Sequence, residues 1–316
     1  MNFHLNYIPP KSNFNLDHKS RIFLSGSCFS DHIGNLLKAF KFNALQNPGG
    51  LLFNPASIAA SLQNVITQES LKEEFIVERD GLFFSYLHHS LINGETKKEL
   101  TEKINLLNNT AGKFLKGAEI LVITFGSAFI YRHTTLNRTV ANCHKQPGTV
   151  FQKKMLTVEQ VVKNYSVLIQ QLQLFNPALR IIFTVSPVKY LRDGVQENNL
   201  SKSVLLLSVH ELVKRFNNCS YFPAYELVND DLRDYRFYKE DMAHPNDQAI
   251  DYVWDKFSEC FFNDKTKELN QKIQKLNLAL QHRTINNGSD EKRKFEEFIL
   301  KQKEEIAKIN PGIQFS

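Results

Sequence analysis

The sequence predicts an α/β doubly wound fold, in which a mostly parallel sheet lies between helices. Short apolar runs that suit buried strands alternate along the chain with helical patterns of ten residues or more, the order typical of this class. Two of these runs, residues 120–125 and 181–185, are almost continuously apolar, as expected for parallel strands covered on both faces. The chain has 316 residues, 42% of them hydrophobic, and can therefore bury a large core.

The first strand and helix carry the main functional prediction. Residues 22–24 suit a short buried strand, and Ser25-Gly26 break the apolar run as a tight turn would. Asp31 then stands in the first turn of a helix whose apolar residues recur at helical spacing: Ile33, Leu36, Leu37 and Phe40. This order predicts Ser27 on an exposed elbow at the carboxyl end of a strand, beside the backbone N–H groups of a helix start.

A second strand and helix follow, and then a hairpin. Residues 41–45 predict a short strand, and Pro55 opens the next helix. Arg79-Asp80-Gly81 stands between two apolar segments and predicts a hairpin turn beside the main sheet. The amphipathic helix after the hairpin ends at Gly117.

The second half of the chain continues the alternation of strands and helices. Thr157 and Gln160 form a capping-box pattern at the start of a long helix. A helix is expected over residues 201–216, and a last strand near Tyr221. Asn246 is expected to cap the final helix of this larger body.

Residues 263–316 are predicted to form a C-terminal helical extension, separate from a domain over residues 1–262. Apolar residues keep heptad spacing in two segments, which predicts two helices joined by a turn at Asn286-Asn287-Gly288. The two helices could pack as an antiparallel hairpin, present their apolar stripes to another subunit in a homo-oligomer, or fold back on the larger body.

The composition of the chain indicates which classes of partner and which cellular location to expect. There are 39 Lys and Arg against 33 Asp and Glu, a net charge of +6, and no basic run that indicates nucleic-acid binding. The four cysteines are far apart, without disulfide or metal-ligand spacing, which favours a reduced compartment. The start of the chain lacks the pattern of a secretory signal, and no segment is apolar enough for a membrane span. These features predict a soluble, cytoplasmic protein that binds no membrane.

The stretch Gly26-Ser27-Cys28-Phe29-Ser30 resembles the signature of the GSCFA-domain family within the SGNH (GDSL-like) hydrolases, with Ser30 in place of the family's alanine. Further stretches fall in the family's order: residues 47–55, 124–127, 140–145, 185–188, 221–226 and 241–245. The resemblance implies a three-layer α/β/α domain with a flavodoxin-like, five-stranded parallel sheet. It implies no metal and no cofactor.

Ser27, Asp241 and His244 are the candidate catalytic residues. A serine hydroxyl is weakly nucleophilic and needs a base within reach and a group that orients the base. The resemblance implies that Asp241 and His244 are the Asp-x-x-His pair before the last helix, with His244 as base and Asp241 as its orienting group. Taken alone, a serine in such a loop is most often part of a turn, and an aspartate before a helix is most often a cap. Cys28 is a rival nucleophile, although a small core residue is its more usual role.

The oxyanion donors are predicted less directly. The backbone N–H of Ser27 is one, and the resemblance adds a loop glycine, for which Gly50 is favoured over Gly49. The family's asparagine would stand at position 128, where this chain has alanine. Asn142 and Ser127 are the candidate substitutes, and either would have to reach the oxyanion from its own loop.

Three histidines and one arginine are further candidates for the site. His88, His89 and His144 lack acidic or cysteine partners at ligand spacing, so no metal site is predicted. His89 or His144 is a candidate contact to substrate. Arg233 is expected to belong to a structural ion-paired network, with contact to an anionic substrate as the alternative.

These residues predict a serine esterase or acylhydrolase that forms an acyl-enzyme. The resemblance suggests a small acyl group such as acetyl, removed from a small-molecule or glycan ester. An acyltransferase with the same triad is one alternative. A catalytically silent binding or assembly module, which engages a partner through its C-terminal helices, is another.

Overall fold

The computed structural model describes residues 5–281, 290–313 and 315. It confirms the alternation of strands and helices; the predicted turn at Asn286-Asn287-Gly288 lies outside the described residues. The strands and helices are β1 (Arg21–Gly26), α1 (Cys28–Ala39), β2 (Asn43–Gln46), α2 (Pro55–Thr67), β3 (Ile76–Arg79), β4 (Leu82–Ser85), β5 (Asn93–Gly94), α3 (Lys97–Lys116), β6 (Ile120–Phe125), β7 (Phe129–His133), β8 (Arg138–Val140), β9 (Phe151–Met155), α4 (Val158–Phe175), β10 (Arg180–Val185), α5 (Val195–Arg215), β11 (Cys219–Tyr221), α6 (Ala224–Glu226), α7 (Asp247–Phe261), α8 (Asp264–Gln281) and α9 (Asp290–Ile309).

The main sheet has five strands in the order β11-β10-β6-β1-β2, and every pair is parallel. This is the sheet that the family resemblance implied. β6 lies at its centre, and all six of its residues are buried. Because β1, β6 and β10 are neighbours and parallel, the loops that follow them meet at one edge of the sheet.

Helices cover both faces of this sheet. Along β1, Phe23 packs into one apolar core, whereas Ile22 and Leu24 pack into the other. The first core holds residues of α2, α3, α4 and α5, and the second holds residues of α1 and α7. Both faces of the central strands therefore need apolar residues, which is why apolar and polar residues do not alternate along these strands.

The end of β1 differs from the prediction. Ser25 and Gly26 do not form a turn; they continue the strand, where Gly26 pairs with Thr124 of β6. Gly26 has φ +150°, and a Cβ placed there would lie 2.3 Å from the carbonyl oxygen of Thr124. The backbones approach so closely that only glycine fits, and the chain changes direction one residue later, at Ser27.

Two smaller antiparallel sheets are separate from the main sheet. The predicted hairpin is confirmed in β3 and β4, where Asp80 and Gly81 both adopt positive φ as a tight hairpin turn requires. β5 adds a third strand to it. The second small sheet, in the order β8-β7-β9, was not predicted, because its strands are short and mixed in polarity.

Other boundaries agree closely with the prediction. The capping box at Thr157 and Gln160 is present, and the side chain of Asn246 accepts a hydrogen bond from the N–H of Ala249 at the start of α7. Helix α5 begins at Val195, six residues before the predicted start, directly after Gly194 with φ +94°.

The C-terminal helices pack against each other and against the body. Leu269, Ile273 and Leu276 of α8 share an apolar cluster with Ile306 of α9, and Phe40 of the body packs on the same cluster. In addition, the Nδ2 of Asn277 donates a hydrogen bond to the carbonyl of Ala39. The division of the chain at residue 262 and the homo-oligomer stay predictions. Over residues 5–281 and 290–313, none of the helices has the length and hydropathy that crossing a bilayer requires.

Replacing Gly26 with alanine is expected to destabilise the fold by about 3 kcal/mol or more, because the new methyl group would collide with β6 and the backbone angle disfavours a side chain. Urea unfolding measures the change. Gly148→Ala is the matched control, since a Cβ there meets nothing within 4 Å. Equal unfolding midpoints for the two variants would contradict the expectation.

Candidate active site

A cavity of about 270 Å³ lies at the carboxyl edge of the main sheet. Ser27 follows β1, Gly126 follows β6 and Ser186 follows β10, and all three line this space. His244, from the loop before α7, lines it too. We call this space the Ser27 cavity.

Ser27 is less accessible than the sequence predicted. It occupies the N-cap position of α1, but its residue surface is only 2% exposed, so the elbow is buried and not exposed. Its Oγ is buried and has no hydrogen-bond partner among the described residues. An unpaired buried hydroxyl costs free energy in the absence of a ligand, and this one stands at a cavity.

Asp241 and His244 are joined by a hydrogen bond. The Nδ1–H of His244 donates to Asp241 Oδ2 over 2.6 Å. The other carboxylate oxygen, Oδ1, accepts the backbone N–H groups of Ala243 and His244, each at 2.9 Å. The backbone donor of His244, then that of Ala243, then the imidazole, lower the pKa of Asp241 to about 2. The carboxylate therefore stays ionised at neutral pH and holds one orientation of the imidazole.

Ser27 and His244 share the cavity without a direct hydrogen bond. Neither Ser27 Oγ nor His244 Nε2 has a hydrogen-bond partner in the described part of the chain. The His244 side chain is 40% exposed and that of Asp241 is 50% exposed, so the pair sits at the solvent side of the cavity. Such hydrogen bonds often tighten only when substrate is bound.

Two backbone N–H groups, those of Ser27 and Gly50, were predicted to donate to the oxyanion, and both contact carbonyl groups of the protein. The N–H of Ser27 points to the carbonyl of Thr124 at 3.3 Å, a long and therefore weak contact. Gly50 does not line the cavity, and its N–H closes a turn on the carbonyl of Asn47 at 2.8 Å. Its φ of +78° and its close approach to His89 explain why this position needs glycine.

Asn142 and His144 lie outside the lining of the Ser27 cavity. The Nδ2 of Asn142 donates to Ser90, and its Oδ1 accepts the N–H of His144, so this amide supports a turn. The imidazole of His144 is buried, and its Nε2–H donates to the carbonyl of Ser85 at 2.8 Å. Burial lowers the pKa of His144, which favours the neutral ring.

Ser127 does line the cavity, but its hydroxyl has other partners. Its Oγ accepts the N–H of Phe129 and lies 3.3 Å from the hydroxyl of Ser201. The N–H of Ser127, like that of Gly126, donates to the carbonyl of Phe53. These bonds fasten the loop after β6 to the loop before α2.

Asn54 is a cavity residue that the sequence prediction missed. It caps α2, where its Oδ1 accepts the N–H of Ser57 at 2.8 Å. Its Nδ2 donates to none of the described residues, which leaves an amide donor beside the cavity that holds Ser27. An asparagine directly before a helix-opening proline is a pattern from which the cap could have been predicted, but not which other loop lies against it.

Lys202 was also missed. It is fully buried behind the cavity, and its Nζ donates to the carbonyls of Gly126 and Ser186, at 2.7 Å and 2.6 Å. Burial lowers the pKa of Lys202 to about 7. A signal was present in the sequence: Lys202 shares one helical face with Leu205, Val209 and Leu212, all buried.

The remaining candidates have other surroundings. Cys28 lines the cavity, but burial raises the pKa of its thiol, opposite to what an activated thiolate needs. His88 is buried with Nδ1 2.9 Å from the hydroxyl of Ser85, and burial lowers its pKa to about 4. Arg233 ends a turn of π-helix and does not line the cavity.

Nowhere in the described ranges do three or more His, Cys, Asp or Glu side chains form a group that could hold a metal ion.

The fold and the cavity place this chain among α/β/α proteins with a serine at the first strand's carboxyl end. The model of the GSCFA family matches residues 21–257, which is most of the chain, and the protein belongs to that family. The family resemblance read from the motifs is thereby confirmed. No curated protein matches the chain.

Several solved structures are similar in chain path. An acetyl xylan esterase from the rumen bacterium Butyrivibrio proteoclasticus has a TM-score of 0.40 and 9% identity, over 77% of this chain and 63% of that one. A carbohydrate esterase family 3 protein from Talaromyces cellulolyticus has a TM-score of 0.37 and 8% identity, over 81% and 99%. The periplasmic domain of a lipopolysaccharide acetyltransferase from Salmonella ser. Paratyphi A has a TM-score of 0.37 and 10% identity, over 77% of this chain and 84% of that one. At these values the neighbours give no information on the substrate of this chain.

The buried amine of Lys202 is expected to make stability depend on pH. Between pH 7 and the ordinary lysine pKa of about 10.4, the unfolded chain binds a proton at this residue that the folded protein has released. Stability should therefore rise with pH in this window, by up to about 1.4 kcal/mol per pH unit, and Lys202→Met should lack that rise.

Urea unfolding at several pH values between 7 and 10 measures this difference. Lys214→Met, at an exposed position of the same helix, is the control and should keep the wild-type dependence. An identical pH dependence in wild type and Lys202→Met would contradict the expectation.

Proposed function

We propose that this protein is a serine esterase in which Ser27 is the nucleophile, His244 the general base and Asp241 the residue that orients His244. One observation carries the proposal. A buried serine hydroxyl, to which none of the described residues is hydrogen-bonded, shares a cavity with a histidine whose other ring nitrogen is bound to an ionised carboxylate. A nucleophile, a base and an orienting group in this relation form the triad of acyl-transfer enzymes.

The proposed reaction has two steps. Ser27 Oγ attacks the ester carbonyl while Nε2 of His244 takes its proton, and the protonated imidazole then gives that proton to the departing alkoxide. Water, deprotonated by His244, attacks the acyl-enzyme and releases the carboxylic acid with Ser27 restored. Asp241 stays ionised throughout, because its pKa of about 2 lies far below neutral pH.

Asn54 is our candidate for the side-chain oxyanion donor. Its Nδ2 is not engaged by the described residues, and it lines the same cavity as Ser27. It would act together with the N–H of Ser27, whose present contact to Thr124 is long. This role takes the place of that expected for Gly50, Asn142 and Ser127, whose donors are engaged elsewhere.

Two finer features of the activity stay predictions from the sequence: that the substrate carries a small acyl group such as acetyl, and that it is a carbohydrate ester. The location of the protein in the cytoplasm also stays a prediction. The acyltransferase alternative uses the same triad with a sugar hydroxyl in place of water. The silent-module alternative predicts no reactive serine, so the labelling experiment below separates it from an enzyme.

A fluorophosphonate probe is expected to label wild type once, and to leave Ser27→Ala and His244→Ala unlabelled, because only a serine activated by a base reacts readily with it. Intact mass spectrometry counts the adducts. Ser203→Ala, at an exposed serine, is the control and should label as wild type does. A folded wild type without an adduct would contradict the proposed function.

Replacing Asp241 with asparagine is expected to slow this labelling by about 10³-fold or more, because an amide that donates towards Nδ1 favours the wrong imidazole tautomer. The second-order rate constant of labelling is the measurement. Asp251→Asn, at an exposed position of α7, serves as the control. Labelling of Asp241→Asn at the wild-type rate would exclude the orienting role of Asp241.

A further inference from the structure

The Ser27 cavity is larger and more apolar than removal of an acetyl group requires. Its walls carry Phe53, Phe129, Tyr131, Val140, Val188 and Tyr190. An apolar cavity of about 150 Å³ is enough to hold a benzene ring, and this one measures about 270 Å³. An acetyl group would bring a single methyl group and leave most of this space to water against apolar walls.

The positions of Ser27 and His244 indicate which part of an ester occupies the cavity. In the proposed reaction His244 protonates the departing alcohol, so the alcohol must lie on the His244 side. That side is open to solvent, since the His244 side chain is 40% exposed, whereas Ser27 is 2% exposed. The acyl group, on the other side of the carbonyl carbon, is then directed away from solvent, into the space that the apolar residues line.

One wall is held in place by a lysine. The ammonium of Lys153 lies 4.4 Å from the ring centre of Phe129 and 5.3 Å from that of Tyr190, and it forms an ion pair with Asp193. These contacts join β7, β9 and the loop after β10. A wall ordered in advance lowers the entropy cost of binding an apolar group against it.

From this lining and geometry we propose that the enzyme prefers esters of bulky apolar acyl groups, in place of the small acyl group that the sequence suggested. These acyl groups are medium-chain aliphatic or monocyclic aromatic, of roughly six to ten carbon atoms when scaled from the benzene site. The inference rests on the proposed esterase function and names the substrate class of the same site. Val188 and Ala141, on two different loops that line the cavity, then determine acyl length.

A series of 4-nitrophenyl esters with the full-length protein is the first test, because the alcohol is constant and only the acyl group varies. Each buried methylene should raise kcat/KM about three- to fourfold. From acetate to hexanoate, with four more methylenes, we expect a rise of about 10²-fold. A kcat/KM that is highest for acetate would overturn the proposal.

Two isomeric esters test which side of the ester enters the cavity. Ethyl hexanoate and hexyl acetate have the same composition and differ in whether the long chain is acyl or alcohol. The proposal expects ethyl hexanoate to be hydrolysed at least tenfold faster at equal, subsaturating concentration. Faster hydrolysis of hexyl acetate would overturn it.

A substitution that narrows the cavity completes the test. Val188→Phe should lower the hexanoate-to-acetate ratio of kcat/KM by tenfold or more, and Ala141→Leu should change it in the same direction. Val195→Phe, at a position 64% exposed and outside the cavity, should keep the wild-type ratio. A ratio unchanged in both cavity variants, each of them labelled by the fluorophosphonate, would overturn the assignment.

Failure of this inference differs from failure of the proposed function. If the esterase proposal is wrong, no ester is hydrolysed and Ser27 takes no fluorophosphonate. If only the acyl preference is wrong, labelling of Ser27 persists and acetate is the best ester of the series.

Discussion

The close parallel pairing of β1 with β6 is the constraint on which the rest of the site depends. Gly26 approaches Thr124 so closely that a single methyl group would overlap the neighbouring backbone. The strand can therefore continue in register to its last residue before the chain turns into α1. Ser27 is held at that turn, and its hydroxyl lies beside a cavity with no hydrogen-bond partner in the part of the chain that the structure describes.

Lys202 supports the same edge of the sheet from behind. Its amine donates to the carbonyls of Gly126 and Ser186, which follow the adjacent strands β6 and β10. Burial lowers the pKa of this amine to about 7, because the charged form loses more hydration than the neutral form does. Desolvation thus favours a state of lysine that is uncommon in water, and the two hydrogen bonds of the amine connect two of the loops that line the cavity.

The elements and their ends could be predicted because they depend on neighbouring residues. The capping box at Thr157, the Asp80-Gly81 turn and the helix end at Gly117 each follow from local backbone chemistry. The second small sheet could not be predicted in this way. β8 and β9 both pair with β7 from nearby in the sequence, but the three strands are short and lack the regular polarity that a strand with one buried face shows.

The sequence by itself determined the fold class, the family and the candidate triad, since these depend on periodicity and on short motifs whose residues are adjacent. Only the tertiary structure decided that Ser27 is buried, that Asn142 and His144 lie away from its cavity, and that Asn54 and Lys202 lie against it. The reason is physical. Burial and hydrogen-bond partners are set by which loops meet at the sheet edge, and those loops are far apart along the chain.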